Sequence, residues 1–187
     1  MFSIKRFLLT GVLSALLTAC SGTGLQSTEQ AMKDAADKAT PEVQAQLFFY
    51  YSCIHCNNFY FDQLKAYREQ HPDVEIKEVA IAVFQFQHPM AKAFYTAELA
   101  GINPAFHEAA FKAHRADRLM RPDAAYYADM AETCCNLPKE RFLTLYNSRE
   151  VEAKFQEAQG LKELLQINAV PVVMQNGQRT TLEKLVP

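Results

Sequence analysis

The sequence predicts an α/β fold in which a strand–helix–strand opening and a two-strand closing unit bracket a long run of helices. Three observations carry that expectation. V-Q-A-Q-L-F-F-Y-Y, residues 43–51, lacks helical spacing and ends in a continuous apolar, aromatic run, as a strand buried on both faces should. From about Pro89 to Ile167 the pattern is Ala-rich and helical. N-A-V-P-V-V-M-Q-N-G-Q-R-T-T, residues 168–181, returns to strand character, and Asn176–Gly177 between two short runs is a hairpin signal.

Each element follows in order. Ser52 is a candidate N-cap, with Cys53 at the first turn behind it. Phe59, Phe61, Leu64 and Tyr67 then recur at short helical intervals up to Gln70, and Pro72–Asp73 end the helix. V-E-I-K-E-V-A-I-A-V, residues 74–83, reads as a second strand, with Val74, Ile76 and Val79 apolar and Glu75, Lys77 and Glu78 mostly polar. M-A-K-A-F-Y-T-A-E-L-A, P-A-F-H-E-A-A-F-K-A-H and D-A-A-Y-Y-A-D-M-A-E supply the next helices, divided by Gly101–Pro104 and Arg121–Pro122. A long amphipathic stretch from Lys139 to Leu165 closes the helical block.

The N-terminus bears on compartment. Lys5 and Arg6 precede an uncharged apolar run to Ala19, which reads as a secretory signal too short for a comfortable membrane span. Leu17–Thr18–Ala19–Cys20 resembles the bacterial lipobox, which implies cleavage before Cys20 and lipidation of that cysteine; the alternative is an ordinary signal with a cysteine nearby. The expected organisation is a signal at 1–19, the lipidated Cys20 and a small, polar tether at 20–41, and one folded domain at 42–187 with a helical insertion at about 89–167. By lipoprotein sorting rules, Ser21 leans the anchor towards the outer membrane. A net charge of −2 gives no reason to expect nucleic acid. In the bacterial envelope disulfides form and persist.

Cys53 and Cys56 in Y-Y-S-C-I-H-C-N-N-F therefore admit three readings: half of a metal site, an inert local disulfide, or a redox pair. A zinc site needs further spaced ligands, and His71, His88, His107 and His114 are scattered, so no metal and no cofactor are expected. At i and i+3 of a helix the sulfurs share a face, and the unpaired N–H groups of a helix start favour a thiolate at Cys53. His55 is placed to add a hydrogen bond or positive charge. A stabilised thiolate leaves readily and makes its disulfide a stronger oxidant.

L-F-F-Y-Y-S-C-I-H-C-N-N-F resembles the active-site segment of the DsbA family of bacterial disulfide oxidoreductases. V-F-Q-F-Q-H-P-M-A-K-A-F-Y-T-A-E-L-A-G and F-H-E-A-A-F-K-A-H-R resemble its inserted domain, and N-A-V-P-V-V-M-Q-N-G its cis-proline segment; together these span about residues 42–182. The resemblance implies a thioredoxin fold with an inserted helical domain. It implies that Cys53 is attacked by a substrate thiol and that Cys56 is the inner thiol. It implies a cis peptide between Val170 and Pro171 facing the cysteines, with both residues binding substrate. The implied substrates are reduced, unfolded envelope proteins, with a DsbB-like membrane partner as reoxidant and a periplasmic, lipid-anchored location. A reductase or isomerase of opposite direction, or a binding lipoprotein with a structural C-x-x-C bond, are the rival functions.

The chain departs from the family pattern in four places. The dipeptide between the cysteines is Ile54–His55 rather than Pro-His. Leu47 stands six residues before Cys53, where the family often carries a buried acid. T-L-E-K-L-V-P leaves barely one final helical turn. Cys134–Cys135 is extra. Adjacent cysteines join only through a strained ring, and they admit two readings: a second relay passing electrons to Cys53–Cys56, or two small side chains ending a helix with at least one buried.

Overall fold

The computed structural model describes residues 44–117 and 122–185. Cys20, its lipobox and the signal and tether expected over residues 1–41 lie outside the described residues. Strand β1 (Gln44–Phe49) enters the turn at Cys53, and helix α1 (Ile54–Phe59) runs through a π-helical turn (Tyr60–Leu64) into α2 (Lys65–Gln70). After β2 (Glu75–Ala80) come a single 3-10 turn and five helices: α3 (His88–Leu99), α4 (Ala105–Asp117), α5 (Ala124–Cys135), α6 (Lys139–Tyr146) and α7 (Arg149–Leu164). Strands β3 (Val172–Gln175) and β4 (Gln178–Thr180) and one 3-10 turn (Leu182–Lys184) follow. Among the described residues no helix is long and apolar enough to cross a membrane.

The four strands form one mixed sheet in the order β2-β1-β3-β4. β1 is central, parallel to β2 and antiparallel to β3. That position explains its apolar run, because Ala45, Leu47, Phe48 and Phe49 are all buried and neither face of a covered central strand meets water. The β3–β4 hairpin turns on Asn176 and Gly177, with φ of 53° and 75°. Two successive positive φ values make the type I′ geometry whose twist suits a two-residue hairpin.

The insertion packs on the sheet through aromatic and alanine side chains. Met90, Ala91, Ala93, Phe94 and Ala97 of α3, Phe106, Ala110 and Phe111 of α4, and Tyr127, Ala128 and Ala131 of α5 are buried in the core that holds β1. Alanines let helices approach closely and the rings fill the remaining space. Ring centroids of Phe49, Phe94, His107 and Phe111 lie 4.8–5.5 Å apart where their pairs touch, the spacing at which edge-on aromatic pairs attract.

Two local expectations are corrected. The N-cap of α1 is Cys53, not Ser52: Cys53 is extended (φ −87°, ψ 114°) and its own sulfur accepts the Cys56 N–H. Cys53 therefore stands one position before the first helical turn. The helix to Gln70 also contains a π turn that the spacing of Phe59, Phe61, Leu64 and Tyr67 does not announce; such turns recur at functional sites.

Candidate active site

The geometry of the C-x-x-C segment begins with the end of β1. The Cys53 N–H donates to the Tyr50 carbonyl at 3.1 Å, which closes the turn and aims the sulfur along the start of α1. There the Cys56 N–H donates to the Cys53 sulfur at 3.3 Å. The two thiols are unequal: both residues are buried, but Cys53 keeps 8% of its surface and Cys56 2%. Both are free thiols.

The electrostatics divide them further. The Cys53 thiol is pulled from 9.0 down to about 6, first by the hydrogen bond from the Cys56 side chain, against the opposing effect of burial, then by the backbone N–H groups of Cys56 and His55, and last by the His55 charge. Burial, with the neighbouring Cys53 sulfur, pushes the Cys56 thiol well above its ordinary value. One sulfur is held as a thiolate near neutral pH and the other as a thiol. His55 is exposed, and its backbone outranks its ring in this effect.

Val170 and Pro171 lie against the cysteines. The Cys53 thiol donates to the Val170 carbonyl at 3.6 Å, across 117 residues of sequence, and the Val170–Pro171 peptide is cis. A groove of about 380 Å³ opens beside Pro171, lined by Phe59, Gln63, Val172, Arg179 and Leu182. Ile54, in the dipeptide between the cysteines, is 53% exposed. The structure thus brings Cys53, Cys56, His55, Val170 and Pro171 together, while Cys20 lies outside the described residues. Among the described residues no group of three or more His, Cys, Asp or Glu side chains is placed to hold a metal ion.

Three supporting features were not anticipated. Asn57, next to Cys56, is buried and ties α1 to the insertion, donating to the Phe111 carbonyl at 2.6 Å and accepting from Arg115 at 3.5 Å. Glu78 is the register partner of Leu47 on β2. Its side chain is 12% exposed and meets Nε2 of the buried His107 at 2.9 Å and Arg68 at 3.2 Å. Burial raises the Glu78 carboxyl, but His107 and Arg68 outweigh it and hold the group below its ordinary range. Nδ1 of His107 in turn meets the Tyr51 hydroxyl at 2.9 Å. An acid is therefore present beside the apolar Leu47, on the neighbouring strand and engaged in pairs of its own. The period-two alternation of β2 contains the signal: Glu78 shares a face with Ile76 and Ala80, both buried. His107 and His114 are core histidines, the latter 2.8 Å from the Tyr127 hydroxyl.

Known proteins place this arrangement. The chain is 29% identical over 142 residues to the thiol:disulfide interchange protein DsbA of Azotobacter vinelandii, covering 73% of this chain and 64% of that protein. It is 28% identical over 156 residues to the protein of the same name from Burkholderia cepacia, covering 81% and 72%. The chain is similar to these two DsbA proteins. The match spans less than two thirds of the length of the A. vinelandii DsbA. No family model matches the chain. Among solved structures, DsbA of Xylella fastidiosa superposes with a TM-score of 0.69 at 23% identity over 75% of this chain and 78% of that one. DsbA of Pseudomonas aeruginosa gives 0.67 at 23% identity over 76% and 75%. These likenesses establish the fold, a thioredoxin fold with an inserted helical domain.

Proposed function

We propose that this protein is a thiol:disulfide oxidoreductase that donates the Cys53–Cys56 disulfide to reduced proteins of the bacterial envelope. The observation that carries the reading is the asymmetry of the pair: a thiolate-forming sulfur at the helix start, pulled down to about 6, beside a buried sulfur pushed up. In the oxidised enzyme, a substrate thiolate attacks Cys53; the Cys53–Cys56 bond breaks, a mixed disulfide forms, and the electron pair leaves on Cys56, which takes a proton. The substrate's second thiolate then attacks its own sulfur in the mixed disulfide and expels Cys53 as a thiolate. The substrate leaves oxidised and the pair leaves reduced. Stabilisation of the departing Cys53 thiolate favours this direction.

In this reading Val170 and Pro171 bind the substrate backbone beside the sulfur and His55 tunes the thiolate. The partners are unfolded, reduced envelope proteins and a DsbB-like membrane reoxidant. Cys20 carries the lipid and the polar tether to residue 41 holds the domain at 42–187 on the periplasmic side of a membrane, with Ser21 favouring the outer one. A redox titration of the Cys53–Cys56 pair tests the function. A potential near about −120 mV supports the oxidase, one near about −270 mV a reductase, and one below about −300 mV a structural bond. Mass spectrometry of the membrane fraction tests the anchor: a diacylated or triacylated Cys20 is expected, and a free N-terminal thiol or an uncleaved leader rejects it.

A further inference from the structure

Cys134 and Cys135 are joined by a disulfide at the last two residues of α5. Neither is buried: Cys134 is exposed and Cys135 is half-buried against the core. This corrects the reading in which at least one of them is buried. Asn136 takes the left-handed conformation (φ 54°) and caps α5. The Asn136 N–H donates to Glu132 and the Leu137 N–H to Ala131, each at 3.2 Å, and Leu137 is buried before Pro138 starts α6. These capping bonds are the usual left-handed helix terminator.

The corner between α5 and α6 is therefore held without the sulfur bond. The bond links residues one apart in sequence, so it closes no chain loop and lacks the loop-closure stabilisation of a long-range disulfide. A covalent link that holds little structure, and whose outer sulfur faces solvent, is suited to being opened and closed.

We propose that Cys134–Cys135 is a second, solvent-facing thiol–disulfide exchange site, independent of Cys53–Cys56, whose co-reactant is a small-molecule thiol. A thiolate in solution attacks the exposed Cys134 sulfur. The Cys134–Cys135 bond breaks, a mixed disulfide forms, and the electron pair leaves on Cys135, which takes a proton from water. A second small thiolate attacks the small-thiol sulfur of the mixed disulfide and releases Cys134, which also takes a proton. The protein gains two electrons and two protons, and the two small thiols leave as one disulfide. The oxidised small molecule closes the bond by the reverse steps.

Acidic side chains of α5 stand near its end. The last carbonyls of α5 present partial negative charge, Glu132 lies one turn before the pair, and Lys139 is engaged by Asp129 at 2.7 Å and Glu132 at 3.5 Å.

The test equilibrates the full chain in mixtures of reduced and oxidised glutathione, quenches with acid, and maps each cysteine by differential alkylation and mass spectrometry. The expected result is that Cys134–Cys135 passes from disulfide to dithiol within the series, with midpoints in the wild type and in Cys53→Ser/Cys56→Ser agreeing within about threefold. A bond closed at every mixture, thiols free at every mixture, or a transition that needs Cys53 and Cys56 overturns the proposal. Thermal unfolding adds a readout for a merely structural bond. Cys134→Ala/Cys135→Ala is expected to move the midpoint by less than about 3 °C, and a larger fall identifies a staple and overturns the proposal.

Discussion

The two cysteine pairs occupy opposite helix ends. At Cys53, N–H groups converge on the sulfur, and the thiol is pulled down to about 6. Cys134–Cys135 instead closes α5, where the Asn136 and Leu137 N–H groups cap the Glu132 and Ala131 carbonyls. Unpaired N–H groups at a helix start stabilise a thiolate. The first pair also has a second element laid over it, because the Val170 carbonyl accepts from Cys53 at 3.6 Å, whereas in the second Cys134 is exposed. In the two proposals the same residue type serves as a directed protein oxidant in one place and an open exchange site in the other; the difference lies in which end of a helix holds the sulfur and what covers it.

Activity should separate the pairs most widely. Cys53→Ser is expected to abolish dithiol oxidation, a loss of at least about a thousandfold for an attacked sulfur that forms the covalent intermediate. Cys56→Ser should accumulate mixed disulfides at Cys53. Cys134→Ala/Cys135→Ala should leave oxidation of a model dithiol peptide within about tenfold, the scatter of a surface change that leaves the fold intact. Loss of turnover in that double variant, still folded and still able to close Cys53–Cys56, would make the second pair part of the first pair's mechanism.

The pH dependence of stability should sharpen the contrast. Folded, the Cys53 thiol has a pKa of about 6 against an ordinary value of 9.0. Between these pH values the folded reduced protein has released a proton that the unfolded chain still holds, so its stability rises with pH. The slope is at most about 1.4 kcal/mol per unit, reduced by solvent screening of the partly exposed sulfur. The gain is complete above about pH 9 and is lost as pH falls through 6. Cys56, pushed up by burial, keeps its proton throughout that window. The oxidised protein has no thiol at position 53 to titrate. Urea unfolding of both forms in the Cys134→Ala/Cys135→Ala background should show the reduced form gaining on the oxidised form from pH 6 to 9. A constant difference would place the Cys53 pKa near its ordinary value.

The sequence made the first pair legible and left much of its support hidden. The apolar run before Cys53, the alternation at residues 74–83 and Asn176–Gly177 each have one local physical meaning, and the strands and hairpin appear where those signals stand. Ser52 lost the N-cap position because a sulfur can accept the same N–H bond as a hydroxyl, a competition that composition does not weigh. The π turn at Tyr60–Leu64 has no such local signature. Glu78 read only as a polar position of a strand because its partners, His107 and Arg68, come from elements that sequence alone does not bring together. The burial of Cys134 or Cys135 was misjudged because a small apolar side chain says little about which way a capped helix end faces.

Glu78 asks whether the low Cys53 pKa is local to the helix start. Glu78→Ala leaves the buried His107 without its carboxylate, and removal of one partner from a buried pair costs about 3 kcal/mol or more. Denaturant unfolding should report that loss. The groups acting on the Cys53 sulfur are Cys56, the backbone N–H groups of α1 and His55, so its alkylation midpoint should remain near 6. A midpoint raised by more than about one unit, a differential interaction of roughly 1.4 kcal/mol, would show that the acid beneath β1 also sets the thiolate.

The smallest effect should come from His55, and its sign is fixed. The His55 charge is the last of the effects that lower the Cys53 thiol, behind the Cys56 side chain and the backbone N–H groups, and the exposed ring works through water, where charges are screened. His55→Ala removes the ring and keeps the N–H. The Cys53 pKa should therefore rise, by less than about one unit. A less stable thiolate destabilises the reduced pair, so the reduction potential should fall, by less than about 30 mV for the corresponding 1.4 kcal/mol. The variant becomes a slightly weaker oxidant, while the second pair, at another helix end, should titrate as before. Alkylation against pH and glutathione equilibration measure both quantities on one sample. An unchanged pKa and potential would leave the helix start and Cys56 as the whole source of the thiolate and remove His55 from the site. A rise of two units or more would mean that the ring, rather than the backbone, dominates at the first pair, and the contrast between the helix ends would no longer explain why the pairs differ.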